Sequence, residues 1–113
     1  MTVAVVCEMA ASLNRLVLTA ELLERGAVRY TPAGLPALDL VLKHESMVTE
    51  DGQPRKVSMQ IRSVVIGEIT RPLIALELGK AGEFAGFLAS ARNGRGLLFH
   101  ITSLAPAPSQ TAH

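Results

Sequence analysis

Between residues 14 and 25, NRLVLTAELLER, the apolar residues Leu16, Leu18, Ala20 and Leu22 occupy alternate positions, with Arg15, Thr19 and Glu21 between them. Successive side chains of an extended strand point to opposite faces, so this spacing predicts a strand with one apolar and one polar face. Helix is the competing reading, because Ala, Leu and Glu favour it; the Val-Leu-Thr centre and the turn residues downstream weigh against it. The alternation returns in residues 37–48, where Leu38, Leu40 and Leu42 oppose Asp39, Val41, Lys43 and Glu45. It returns again in residues 55–67, with Val57, Met59 and Ile61 expected inward and Lys56, Ser58, Gln60 and Arg62 outward.

Turn chemistry separates these segments. Pro32 and Gly34 predict a reversal over residues 31–36, since proline presets one backbone angle and glycine accepts the positive φ of a tight turn. Glu50, Asp51, Gly52, Gln53 and Pro54 form a second polar turn. Residues 68–78, EITRPLIALEL, read as a short helix or irregular connector, because Pro72 is tolerated only in a first helical turn. A fourth strand is expected over residues 82–90, with Gly86 suiting a bend or close backbone approach, and a fifth over residues 97–104. Between them Asn93 and Gly94 are expected to hold the two positive-φ positions of a two-residue hairpin. The fold class is therefore all-β. Five strands with a connector or short helix between the third and fourth suit a Greek-key oligonucleotide-binding (OB) barrel, and an unrelated small β-barrel is the alternative on pattern alone.

The 113 residues give room for one domain, expected at residues 14–104, preceded by an N-terminal extension over 1–13 and followed by a Pro-containing flexible tail over 105–113. Hydrophobic residues at 49% and charged residues at 19% are too apolar for disorder, while the uncharged N-terminal stretch is too short for a membrane span. Residues 1–11 lack the basic start of a secretory signal, and the lone Cys7 allows no internal disulfide, so a cytoplasmic location and no membrane partner are expected.

Catalytic groups are scarce. His44 and His100 lie within predicted strands and read as structural or surface residues, and His113 belongs to the tail. Cys7 has no neighbouring His or Lys to activate it, and a single cysteine supplies no structural zinc site. The glycines at 79, 82, 86, 94 and 96 fit no phosphate-binding loop. No enzyme, metal or cofactor is expected. Basic residues are better organised: Arg29, Lys43, Arg55, Lys56, Arg62, Arg92 and Arg95 fall where one groove of such a barrel can gather them. Single-strand binders combine such a phosphate track with planar groups for stacking. The alternative is that these are ordinary solvated charges, since the net charge is only +1. There is no Trp, and of Tyr30, Phe84, Phe87 and Phe99 the tyrosine is the exposed stacking candidate, because Phe99 and one of the other two belong to the core.

The run NRLVLTAELLERGAVRYTPAGLPALDLVL resembles the opening of the bacterial single-stranded DNA-binding protein superfamily. His44 with Ser46, VVIG, GEFAGFLA, and Asn93-Gly94 followed by Phe99-His100 are similar to the primosomal replication protein N family within it, as is the ending PAPSQTAH without a Gly-rich, acidic-tipped tail. The resemblance covers residues 14–104. It implies single-stranded DNA binding without catalysis in primosome assembly and replication restart, with a restart helicase and a helicase-loader protein as partners. It implies DNA contacts at Arg29, Arg55, Arg92 and Arg95, and a homodimer formed through Asn14, Arg15, Leu16, Val17 and Leu18. Gln53 and Ser58 stand where the family pattern has aromatics, which lowers the stacking expected there. The alternative function is a protein-interaction OB module of the replication machinery with weak or no DNA binding.

Overall fold

The computed structural model describes residues 12–106; Cys7, most of the expected N-terminal extension and most of the expected tail lie outside the described residues. The elements are β1 (Leu16–Arg25), β2 (Arg29–Tyr30), β3 (Pro36–Glu50), β4 (Gln53–Ile66), a 3-10 turn (Gly67–Ile69), α1 (Thr70–Ala75), β5 (Ala81–Ser90) and β6 (Leu97–Pro106). The strands lie in the order β1-β5-β6-β4-β3-β2, and an added pairing of β1 with β3 closes the sheet into a five-stranded barrel to which β2 is appended. Closure hides backbone edges that an open sheet would expose.

β1 makes the closure by dividing its length. Leu16 to Glu21 pair with β5, whereas Glu21 to Arg25 pair with β3, with an irregularity between Leu22 and Glu24. The seam between β4 and β6 is a short parallel contact, Ser63 against Phe99 and Val64 against His100. Leu18, Ala20 and Leu22 from β1, Leu38, Leu40 and Leu42 from β3, Phe84 from β5 and Phe99 with Ile101 from β6 fill the interior. The period-two faces read from the sequence for β1 and β3 thus supply core residues.

Pro72 sits in the first turn of α1, and Leu73 of that helix plugs the barrel with no exposed surface. Arg25, at the end of β1, donates from its guanidinium to the carbonyls of Leu73 and Leu76, satisfying acceptors that the helix end leaves without backbone partners.

Three expectations are corrected. The two-residue hairpin with both φ values positive is Asp51–Gly52 (53° and 75°), not Asn93–Gly94. The β5–β6 connection instead spans residues 91–96. The Gly94 N–H bonds to the Ala91 carbonyl and the Ala91 N–H to the Gly96 carbonyl. The Asn93 side chain accepts from the Arg95 N–H, and the positive φ angles fall on Gly94 and Gly96. Asn93 is thus used as a side-chain turn acceptor, the other way asparagine stabilises a reversal. Met59, expected inward, is 38% exposed. The β3–β4 ladder runs unbroken from Ala37↔Ile66 to Glu50↔Gln53, whereas β1 pairs with β3 no further than Lys43. Beyond that point no strand among the described residues lies opposite the inward face. β6 also extends through Ala105 and Pro106, which pair with Glu83 and Gly82.

Gly86 is the tightest point of the barrel. A Cβ there would lie 1.8 Å from the His100 carbonyl oxygen and 2.8 Å from its carbon, beside the register shift between Ala85 and Gly86. Backbone cannot yield as a side chain does. Gly86→Ala is expected to destabilise the fold by about 3 kcal/mol or more, seen as a fall of roughly 10 °C or more in the thermal midpoint by circular dichroism.

Candidate nucleic-acid interface

The outer face of the barrel between the 31–35 turn and the 91–96 loop forms an open concavity of about 660 Å³. Its floor is strand: Asp39 of β3, Arg62 and Val64 of β4 and Leu98 and His100 of β6. Arg29 and Tyr30 stand on one bank and Arg92 on the other. Cross-strand partners share a face, and the registers Asp39↔Val64 and Val64↔His100 bring these residues side by side.

Arg29 grips Asp39 with two hydrogen bonds, Nε to Oδ2 and Nη2 to Oδ1, each 3.0 Å. This guanidinium, chiefly through its hydrogen bond, holds the Asp39 carboxyl below the usual carboxylate range; partial burial acts the other way and the charge of Arg62 adds to the lowering. Asp39 in turn raises the pKa of Arg29. Both side chains are about half exposed or more, at 49% and 60%, so solvent screens the pair and its contribution to stability is small. Because the folded carboxyl is depressed, that contribution is present above the unfolded value of about 3.9 and is lost as pH falls through the lower folded one. Arg62 and Arg92 make no ion pair among the described residues.

The remaining expected contacts lie elsewhere. Lys43 borders a separate concavity with Thr19, Glu21 and Glu45 and pairs with Glu45 at 3.6 Å. Arg55 bonds Glu50 at 2.8 Å near the hairpin end. Lys56 shares the outer face with Arg62 but lies six residues along β4, about 20 Å away at strand rise. Arg95 lies in the 91–96 loop but does not line the groove. The single groove expected for all the cations is thus divided: the hairpin is longer than the barrel, and neighbouring positions such as Arg55 and Lys56 face opposite ways. Conversely, Asp39 and His100 are groove residues that sequence reasoning does not assign, and Phe87 stacks on His100 with ring centroids 4.8 Å apart. Alternation alone sets Phe87 opposite in facing to Phe84; its pairing with His100 follows only from the β5–β6 register.

Of the five residues expected to form a dimer contact, Asn14 bonds within the chain, its side chain donating to the Leu88 carbonyl at 2.8 Å and accepting from the Leu88 N–H at 3.0 Å. Arg15 is exposed, Leu16 half-buried against the core and Leu18 buried, while Val17 faces solvent at 44% exposure. Leu22 directs both backbone groups toward Gly79 and Lys80, so alternation turns those of Val17 and Thr19 to the other edge, where β3 has already departed. His44 partly fills that gap. Its Nδ1 lies 2.7 Å from the Thr19 carbonyl, which can only accept, and its Nε2 lies 2.8 Å from the Ser46 hydroxyl, an arrangement that makes the ring a structural brace.

A family described as "another single-strand binding protein family" matches residues 14–103. The chain belongs to this single-strand binding family. Within it, the chain is 50% identical over 80 residues to Replication restart protein PriB of Bordetella pertussis, covering 71% of this chain and 75% of that protein. It is 47% identical over 55 residues to PriB of Neisseria meningitidis serogroup B, 48% of this chain and 55% of that one. Among solved structures, PriB from Ralstonia solanacearum superposes with a TM-score of 0.77 at 35% identity, covering 84% of this chain and 98% of that chain. The single-stranded DNA binding protein from Thermus aquaticus gives 0.66 at 27%, covering 88% and 52%. Both the OB architecture and the replication-restart kinship of the family member stand on these likenesses.

Asp39 places a carboxylate in the groove and engages Arg29 there. Asp39→Asn is expected to strengthen oligothymidine binding severalfold by releasing Arg29 and removing one negative charge, at a stability cost under about 1 kcal/mol near neutral pH. Parallel fluorescence titrations and thermal melts of the two proteins measure both quantities.

Proposed function

We propose that this chain binds single-stranded DNA through the groove between the 31–35 turn and the 91–96 loop, as a non-catalytic adaptor of primosome assembly and replication restart. The observation that carries this reading is the pair of guanidiniums outside any ion pair among the described residues, Arg62 on the floor and Arg92 on the bank, on the strand face and loops that OB barrels use for oligonucleotides. Similarity to PriB proteins supports the restart context, with a restart helicase and helicase loader as protein partners and the cytoplasm as the place of action. Phosphates would be held by cations, and affinity should fall with added salt, which makes release of the DNA's counterions less favourable.

The protein acts as a homodimer in this reading. The β1 edge at Val17 and the Thr19 N–H can pair with the same edge of a second copy across a two-fold axis, and the inward face of the β3–β4 hairpin beyond Lys43, where Val48 and Met59 are exposed among the described residues, lies next to it.

Titration of labelled oligothymidine at several salt concentrations tests the binding. Arg62→Ala with Arg92→Ala is expected to weaken it roughly 10- to 100-fold and to reduce the salt slope by about 1.4, about 0.7 for each phosphate of a single strand no longer neutralised; an unchanged slope would move the site away from this groove, and no binding by the unaltered protein would favour a protein-interaction barrel. The dimer is tested separately with Val17→Pro, which removes an N–H from the free edge but none from the β1–β5 ladder. Light scattering should then give half the mass found for the unaltered chain, with the far-ultraviolet spectrum retained.

A further inference from the structure

Phe87 and His100 are direct cross-strand partners on β5 and β6, and their rings lie nearly parallel, within 7°, at a centroid separation of 4.8 Å. The adjacent pair in the ladder, Leu88↔Phe99, points inward: Phe99 is fully buried and Leu88 packs against the core. Phe87 and His100 therefore project from the outer face, and Phe87 keeps 38% of its surface exposed. With Phe87 covering one face of the imidazole, the remaining face is on the β4 side. There Val64 is the registered neighbour and the arginine groove begins, with His100 on its lining.

This arrangement is a half-finished aromatic stack. Two parallel rings present a third planar group with an already ordered, partly dehydrated surface, so little side-chain freedom is given up when the stack is extended. Every nucleobase has a π face, whereas phosphate and sugar have none, and stacking on protein rings is accordingly tolerant of sequence. Arg62 and Arg92, lining the same groove, are available to phosphates beside the platform.

We infer that the Phe87–His100 pair is the base-stacking platform of the groove, an unpaired base lying on the groove side of His100 while Phe87 backs the imidazole from behind. The inference rests on the DNA-binding reading given above and adds the residues that distinguish a base from bare sugar-phosphate. His100 touches the base in this arrangement; Phe87 is a positioning residue that acts through it.

The test compares oligothymidine with an abasic deoxyribose-phosphate strand of equal length, at low salt. His100→Ala is expected to weaken oligothymidine binding about five- to a hundredfold and abasic binding less than twofold. His100→Tyr should preserve the preference for oligothymidine, and Phe87→Leu, which keeps apolar bulk, should reduce it by a smaller factor than His100→Ala. Arg62→Ala should weaken both strands alike. Photocrosslinking of the unaltered protein to 5-iodouracil-substituted oligonucleotide gives a readout that needs no variant to fold, with adducts expected on the peptides carrying Phe87 or His100. An undiminished thymidine preference in His100→Ala, or adducts confined to other peptides, would overturn the platform while leaving DNA binding intact. Failure of the unaltered protein to bind either strand would overturn the DNA-binding reading itself.

Discussion

At Gly86 the backbones of β5 and β6 come so close that only a hydrogen fits, and this approach sets the facing of everything on the two strands. Before the register shift, Phe84 faces Leu104; after it, Gly86 faces Ile101 and Leu88 faces Phe99. The inward positions of β5 keep even numbers throughout, 84, 86 and 88, while those of β6 pass from 104 to the odd 101 and 99. A uniform ladder cannot satisfy both strands, since a slip of one residue turns a strand inside out. The extra residue of the bulge on β6 absorbs the mismatch, lets Phe84, Phe99 and Ile101 fill one core, and turns Phe87 and His100 outward together. Core packing and the outward-facing aromatic pair are two consequences of one backbone irregularity.

That dependence explains what could be read from the chain. Alternation in residues 14–25 and 37–48 reports which face of a strand is apolar, and Leu18, Ala20, Leu22, Leu38, Leu40 and Leu42 on those faces are buried. Pro32 and Gly34 impose their turn locally, and Pro72 limits the helix locally. Each of these depends on few neighbours. Whether an apolar face has anything opposite it is a different question, settled by where β1 ends its pairing with β3, and so Met59, inward by alternation, lies exposed. Asn-Gly likewise permits a two-residue turn without requiring one, and Asp-Gly at 51–52 takes that geometry instead. The candidate site is less legible than the fold because a groove is a property of several strands. Arg29, Tyr30, Arg62 and Arg92 gather there, but Lys43, Arg55 and Lys56, equally basic in sequence, are carried elsewhere by side-chain parity and hairpin length.

The groove's charge is held on short, internally bonded pieces of chain. The bank that carries Arg29 and Tyr30 continues into a turn in which the Thr31 and Leu35 backbones, the Thr31 hydroxyl and the Gly34 N–H close on one another at 2.8–3.2 Å. The Arg92 bank is tied by the Ala91–Gly96 and Gly94–Ala91 bonds and by the Asn93 side chain. Both banks meet a floor of strand whose registers are fixed by the core beneath. Cations arranged this way give up little backbone freedom when an anionic chain settles between them, so a modest number of them suffices. In the proposed reading, a protein with a net charge of only +1 binds phosphates through the local arrangement of Arg62, Arg92 and the Asp39-engaged Arg29, because charges beyond a Debye length of about 8–10 Å are largely screened.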